Sequence, residues 1–388
     1  MAENLKEEDE KHMTPKICSN CVMDESDSRI TFDSDGICDH CSDFKKNTVR
    51  SWKPTSEGRG ELDLIIKKIK KDGEGRDFDC VMGMSGGADS SYLLHLAVKE
   101  LGLRPLVFHV DCGWNSRAAV NNIQRMVDAL GVDLYTDVIN WKEMADMQRA
   151  FFKSGVPHID LPQDLAYTSA TYHWANKHNI KYILNGGNIS TECVRNPKEW
   201  IYYGTDFVFL NAILKNFGTM KYNSFPLSTI FYHKVYLQYI RRIRVIKPLN
   251  FLPYNKVDAQ IELNRIYGWE SFNQKHFESR FTRFYEGYWL PTRFGFDTRR
   301  VQLSSLILTG QITRAEALEE LKKKPYDPDT IEDDFNYVAN KLDITVKELQ
   351  GYHQMPHKFY TDYPNIEWIF DLGAKFLQMV GSEAAVKR

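Results

Sequence analysis

The sequence predicts an α/β fold: a parallel sheet preceded by a small metal-binding module and followed by a helical region. Three observations predict it. Short apolar runs alternate with helical stretches from residue 79 onward, two Cys-x2-Cys hooks stand near the start, and β signals fade beyond Lys247-Pro248-Leu249.

The element order follows from local pattern. Residues 1–16 read as a charged tail and 17–50 as a four-cysteine ribbon. Residues 51–250 read as the parallel-sheet domain, and 251–388 as a helical region contributing to the substrate site. A polar connection at Lys53-Pro54-Thr55-Ser56-Glu57-Gly58 and a helix over 61–71 lead into the main domain. Strands are predicted at 80–84, 106–110, 133–138 and 182–184, with helices at 89–101 and 117–130 between them. Further helices are predicted at 256–267, 311–324 and 330–352.

Composition narrows the class. With 388 residues, 43% hydrophobic and 26% charged, the chain has enough apolar surface for two compact domains and a module. No run approaches the roughly 18 apolar residues that span a bilayer. The first sixteen residues are polar, so neither signal peptide nor membrane insertion is expected and a cytoplasmic location is. Fifty basic against fifty-two acidic side chains give a net charge of -2, which supplies no global field for nucleic acid.

Four of the seven cysteines, Cys18, Cys21, Cys38 and Cys41, form two Cys-x2-Cys hooks. Each hook sets two thiolates a metal's bite apart, and the segment Arg29-Ile30-Thr31-Phe32 with the turn Asp33-Ser34-Asp35-Gly36 returns the chain as a hairpin. Zinc with no open ligand position, hence structural or docking, is the expectation; an iron-sulfur cluster and two disulfides are the alternatives.

Ser85-Gly86-Gly87-Ala88-Asp89-Ser90 follows the first strand and opens a helix. Gly86 and Gly87 let consecutive N–H groups point into one concavity, and the helix start adds partial positive charge, so polyphosphate is the natural guest. Ser85 and Ser90 can donate to phosphate oxygens, and Asp89 can cap the helix and hold Mg2+. A Walker A loop needs Lys followed by Ser or Thr after the final glycine, and Ala88-Asp89-Ser90 excludes it. A turn built of small residues for steric reasons alone is the bland alternative.

This hexapeptide resembles the hallmark of the PP-loop ATP pyrophosphatases (adenine nucleotide alpha hydrolase-like), which cleave ATP to AMP and pyrophosphate. The resemblance implies further parts. Asp111, at the end of the second strand, is a candidate for contacting adenosine. Asn185-Gly186-Gly187-Asn188-Ile189-Ser190-Thr191-Glu192 is similar to a second glycine-rich loop, with Gly187 at the nucleotide and Glu192 a second magnesium ligand. Lys247-Pro248-Leu249 followed by Lys256 is similar to the segment that closes such sites, with Lys256 near the phosphates. Read without that resemblance, Asp111 is as readily a helix cap and Lys256 a solvated lysine.

From the hooks to about Lys324 the chain resembles one branch, the WbpG-like (PseA-like) N-acetyl sugar amidotransferases of bacterial surface-polysaccharide biosynthesis. The features are Cys-x2-Cys-Val-Met-Asp, Gly113-Trp114-Asn115-Ser116, Asn185-Gly186-Gly187-Asn188 and the block from Lys275-His276 through Arg280, Arg283 and Arg293 to Arg299-Arg300. The resemblance implies that ATP and Mg2+ drive adenylation of an acetamido oxygen on a nucleotide-activated sugar, and that ammonia then forms an acetamidino group. Asn115, Asn188, His276, Arg280, Arg283, Arg293, Arg299 and Arg300 become the candidate substrate contacts; arginines snorkelling from an aromatic helix are the structural alternative. Ala88 departs from the lysine common in WbpG-like loops.

No Gly-x-Cys-x-Gly elbow marks a glutaminase, so ammonia is expected from a separate HisH-like glutaminase with an ammonia-channelling HisF-like partner. Rival readings are a tRNA-thiolating enzyme, for which Cys112 and Cys193 would have to meet, and a non-catalytic scaffold.

Overall fold

The computed structural model describes residues 15–226, 240–272 and 274–379. All but two residues of the charged tail, and the last nine residues of the helical region, lie outside them.

Five strands form a parallel sheet in the order β3-β2-β1-β4-β5. They are β1 (Cys80–Gly83), β2 (Pro105–Asp111), β3 (Leu134–Val138), β4 (Tyr182–Leu184) and β5 (Arg244–Ile246). Val81 pairs with Leu106 on one side and Ile183 on the other. Its side chain joins a core containing Leu106, Phe108 and Ile183, whereas Cys80, Met82 and Met84 join a second core with Val107 and Leu184. That two-residue alternation, apolar on both faces, makes the central strands read as uninterrupted apolar runs.

Helices cover both faces. Ser56–Asp72, Arg117–Leu130 and Lys256–Tyr267 place Leu62, Ile123 and Leu263 in the second core, and Trp141–Ser154 and Leu161–Lys177 place Phe151 and Leu165 in the first. Full burial of such a side chain stabilises by about 1.5–3 kcal/mol, so each helix is fixed mainly by its inward stripe. The helix predicted at 61–71 begins earlier, because Thr55 accepts the Gly58 N–H as an N-cap.

Three other expectations change. β5 was not anticipated: it is a three-residue edge strand with Arg244 and Val245 exposed. The helix predicted at 330–352 is two helices, Ile331–Lys341 and Val346–Gln354; Asp343 adopts a left-handed φ of 53° and Thr345 opens a new capping box with Glu348. The cysteine module carries isolated bridges, Ile17 to Asp24 and Phe32 to Cys38, in place of a full hairpin. It packs on the helical region: Arg300 donates to the Val22 carbonyl at 2.8 Å and Arg314 to that of Cys18 at 2.9 Å.

The strand order reverses between β1 and β4. In open α/β sheets the crevice beyond the carboxyl ends of such a pair is where ligands bind.

Candidate functional site

The chain leaving β1 turns through Gly86, whose φ of +82° and whose missing Cβ, which would stand 2.6 Å from the Ala119 carbonyl oxygen, admit glycine only. Trp269 Nε1 and Asn122 Nδ2 donate to the Gly86 carbonyl at 3.1 and 3.2 Å, pinning the turn from below. Ser85 and Ser90 hydroxyls lie 3.1 Å apart, and Gly87 N–H donates to Ser85 Oγ at 3.2 Å. Gly87 then caps the helix Ala88–His95 without any side-chain hydrogen bond, which leaves its first amides for a ligand.

Above this turn a cavity of about 390 Å3 opens between the ends of β1 and β4. Charged groups crowd its wall. Asp89 accepts from Tyr254 Oη at 2.6 Å and Asn188 Nδ2 at 3.2 Å, and its other oxygen lies 3.7 Å from Lys275 Nζ. Lys275 also contacts Glu192, so one ammonium bridges the two carboxylates. Burial works against the charged form of Asp89, but Lys275, Lys256 and the Tyr254 and Asn188 hydrogen bonds outweigh it and hold its pKa below the ordinary carboxylate value. Burial lowers the pKa of Lys256, opposed by the Asp89 charge. Glu278 accepts from Ser85 Oγ at 3.2 Å and lies directly over Gly87, where a Cβ would come within 2.7 Å of it.

Ser85, Gly87, Asp89, Ser90, Gly187, Glu192, Lys256 and His276 all line this cavity, drawn from four separate stretches of chain. Gly86 shapes its floor. Asn188 does not face the space freely: it holds Asp89 and caps the short helix Ile189–Glu192. His276 Nδ1 meets Glu286 at 3.0 Å; the ring is half exposed, and against its partial loss of hydration, which lowers its pKa, the carboxylate raises it to about 9.

Other predicted residues stand elsewhere. Asp111 accepts from Gly113 N–H at 2.8 Å and from Asn115 Nδ2 at 3.1 Å, so the pair closes the turn after β2 and neither lines the cavity. Arg280 and Arg283 both pair with Asp334. Arg293 is buried and donates to the carbonyls of His353 and Pro356. Arg299 binds Asp297 and the Glu320 carbonyl, and Arg300 binds Asp24 at 2.9 Å. These last three arginines are spent on joining helices and on docking the cysteine module, not on the cavity.

Sequence reasoning missed Tyr254, Lys275, Glu278, Trp269 and Tyr167, the last also part of the cavity wall. Lys275 and Glu278 stood inside the quoted block, but only the folded chain shows that they reach the glycine turn.

The four cysteines of the hooks are fully buried, with their sulfurs within 4.8 Å of one another. Cys18 to Cys41 is 3.8 Å, and Cys38 lies 3.6 Å from both Cys21 and Cys41. A tetrahedron with metal–sulfur bonds of about 2.3 Å has edges of about 3.8 Å, so the set fits a single ion. Backbone N–H groups of Asn20, Cys21 and Cys38 donate to Cys18 Sγ, as thiolate charge requires.

The strand order, the glycine turn at the switch point and the charged cavity define a nucleotide-binding domain of the PP-loop class. In agreement, residues 79–186 match the family described as phosphoadenosine phosphosulfate reductase domain. Residues 278–377 match the family described as LPS biosynthesis protein WbpG-like, C-terminal domain, so the chain joins a PP-loop superfamily domain to a WbpG-like one. The uncharacterized protein MJ1599 of Methanocaldococcus jannaschii is 30% identical over 129 residues, 31% of this chain and 44% of that protein. The match thus spans less than half of that relative's length. Among solved structures, the NH3-dependent NAD synthetase of Campylobacter jejuni in complex with nitrate is 13% identical, over 78% of this chain and 99% of that one, with a TM-score of 0.31. The U34-tRNA thiolase NcsA of Methanococcus maripaludis with its [4Fe-4S] cluster is 11% identical, over 89% and 91%, with a TM-score of 0.34. Likeness at that level says nothing of activity. Among the described residues, no helix is long and apolar enough to cross a membrane.

Proposed function

We propose that this chain is an ATP-dependent amidotransferase of bacterial surface-polysaccharide biosynthesis. It transfers AMP to the acetamido oxygen of a nucleotide-activated N-acetyl sugar and lets ammonia displace AMP to give an acetamidino group. One observation carries the reading: Ser85 of the glycine turn donates to Glu278 at 3.2 Å, so the PP-loop region and the first residue of the WbpG-like region meet across one cavity.

In this reading the turn's amides and the Ser85 and Ser90 hydroxyls grip the outer phosphates, and Lys256 and Lys275 balance charge as pyrophosphate departs. Asp89 and Glu192, already converging on the Lys275 ammonium, suit a magnesium ion as a ligand pair. That ion, when bound, neutralises phosphate charge. The acetamido oxygen attacks the α-phosphorus; adenylation turns a poor leaving group into a good one. Zinc is the ion proposed for the four thiolates, with a structural or docking role. Ammonia comes from a separate glutaminase through a channelling partner, and the enzyme works in the cytoplasm.

Thiolation is disfavoured by the cysteines. Burial pushes the Cys112 thiol well up and the Cys193 thiol up to about 12, and neither lines the cavity, whereas sulfur transfer needs reactive thiolates. The test is incubation with ATP, Mg2+, ammonium and a panel of UDP- and CMP-linked N-acetyl sugars. Replacement of O by NH in one sugar, with stoichiometric AMP, is expected; AMP release without any change in sugar mass would end the proposal.

A further inference from the structure

A second cavity of about 400 Å3 adjoins the first, and Phe272 and Gln274 belong to the walls of both. Phe272 and Gln274 therefore form a partition between the two spaces. Gln274 Nε2 donates to the Pro325 carbonyl at 3.1 Å, which ties the partition to the segment on the far side.

The two spaces differ in origin. The first takes only Glu278 from the region matching the WbpG-like domain, whereas Arg283, Lys324, Tyr326 and Asp334 of the second all come from it. Whatever distinguishes this chain's substrate from that of other PP-loop proteins is expected in the second.

Its chemistry is flat rings beside charged groups of both signs, Arg283 and Lys324 with Asp327 and Asp334. Phe272, Phe277 and Tyr326 supply ring surfaces, and Tyr326 is steadied by Tyr288 in an edge contact at 5.0 Å. Arg283 of the wall shares the Asp334 carboxylate with Arg280, which lies outside the lining, so this trio carries one net positive charge. Lys324 adds another, its ammonium 5.7 Å from the Tyr326 ring. Asp327 at the exposed rim offers an acceptor for hydroxyls. Rings for a base, cations for phosphate, and an acceptor for ribose together fit a nucleotide, and the volume lies in the range of small-ligand pockets, about 300–1,000 Å3.

We propose that the second cavity holds the nucleoside phosphate arm of the substrate while the N-acetyl sugar reaches past Phe272 and Gln274 to the glycine turn. This rests on the amidotransferase reading. Two nucleotides then bind at once, ATP on one side of the partition and the sugar's nucleotide on the other.

The experiment titrates UDP, CMP and inorganic pyrophosphate into the full chain already saturated with a non-hydrolysable ATP analogue, by calorimetry. One additional site for UDP or CMP is expected, with pyrophosphate at least ~10-fold weaker. Tyr326→Ala and Lys324→Ala should each weaken that site ~10-fold, since loss of a stacking ring or a phosphate cation costs about that, while leaving the analogue's affinity unchanged. The assignment is overturned if no extra nucleotide binds, if pyrophosphate binds as well as the nucleotides, or if both substitutions are silent. O-to-NH conversion is scored in parallel. Conversion without the extra site sinks this assignment alone; the extra site without conversion by any sugar sinks the amidotransferase reading instead.

Discussion

Lys275 offers the sharpest handle on the charge arrangement, because among the described residues it alone bridges Asp89 and Glu192. Its side chain is 10% exposed and that of Asp89 17%, with 3.7 Å between Nζ and Oδ2. At an effective dielectric near 20, unit charges at that distance attract by about 4 kcal/mol. The desolvation regained when the ammonium is removed lowers the net cost of Lys275→Met to about 3 kcal/mol. The contact with Glu192, which is 39% exposed, adds at most ~1 kcal/mol. A chain of this size loses roughly 2 °C of Tm per kcal/mol, so a fall of about 6–8 °C is expected in metal-free buffer. Saturating Mg2+ should then restore most of it, because an ion at a hundred times its Kd stabilises by about 2.7 kcal/mol and no longer competes with the lysine. Wild type should gain less. The acid limb moves too. Burial raises and Lys275 most strongly lowers the Asp89 pKa, with a net depression. Asp89 therefore contributes stability above its unfolded pKa of about 3.9 that is lost as pH falls through the folded value. Without Lys275 the folded pKa rises, and acid unfolding begins at higher pH. Differential scanning fluorimetry across pH, with and without Mg2+, measures all three. An unchanged Tm in Lys275→Met, or equal Mg2+ shifts in both proteins, would refute the bridging role.

Gly86→Ala forces a Cβ against the Ala119 carbonyl at φ +82°, costing about 1–3 kcal/mol locally; ATP affinity should fall ~10-fold or more with circular dichroism unchanged. Cys38→Ser should take bound metal from one zinc per chain to none by elemental analysis, and lower Tm through the lost Arg300 and Arg314 anchorage. His276 has a folded pKa of about 9 against about 6.5 unfolded, so the stability it adds is complete below 6.5 and lost as pH rises through 9. In His276→Gln the alkaline decline in Tm between those values should flatten.

Much of the fold was legible because the central strands are apolar on both faces and the helix Arg117–Leu130 carries a clear inward stripe. β5 was not, since three residues with two exposed carry no period. The break at Asp343 was hidden because Leu342 and Leu349 are both buried and keep an apolar pattern running across it. At the site, the glycine turn announced itself through residue type alone. Tyr254, Lys275 and Glu278 did not, since a tyrosine, a lysine and a glutamate mean little until long-range packing aims them at one phosphate loop. The positions of Arg293 and Arg299 were hidden for the same reason: in sequence they look like anion ligands, but in the fold Arg293 donates to the carbonyls of His353 and Pro356, and Arg299 to Asp297 and the Glu320 carbonyl.

The central claim is that the acetamido oxygen, and no other, receives AMP. It is tested by supplying a nucleotide-linked N-acetyl sugar labelled with heavy oxygen in the acetamido group, together with ATP, Mg2+ and ammonium, and following the label by mass spectrometry. The label should leave with AMP as the amidine forms. Label retained in the sugar product, or released in pyrophosphate, would contradict the account.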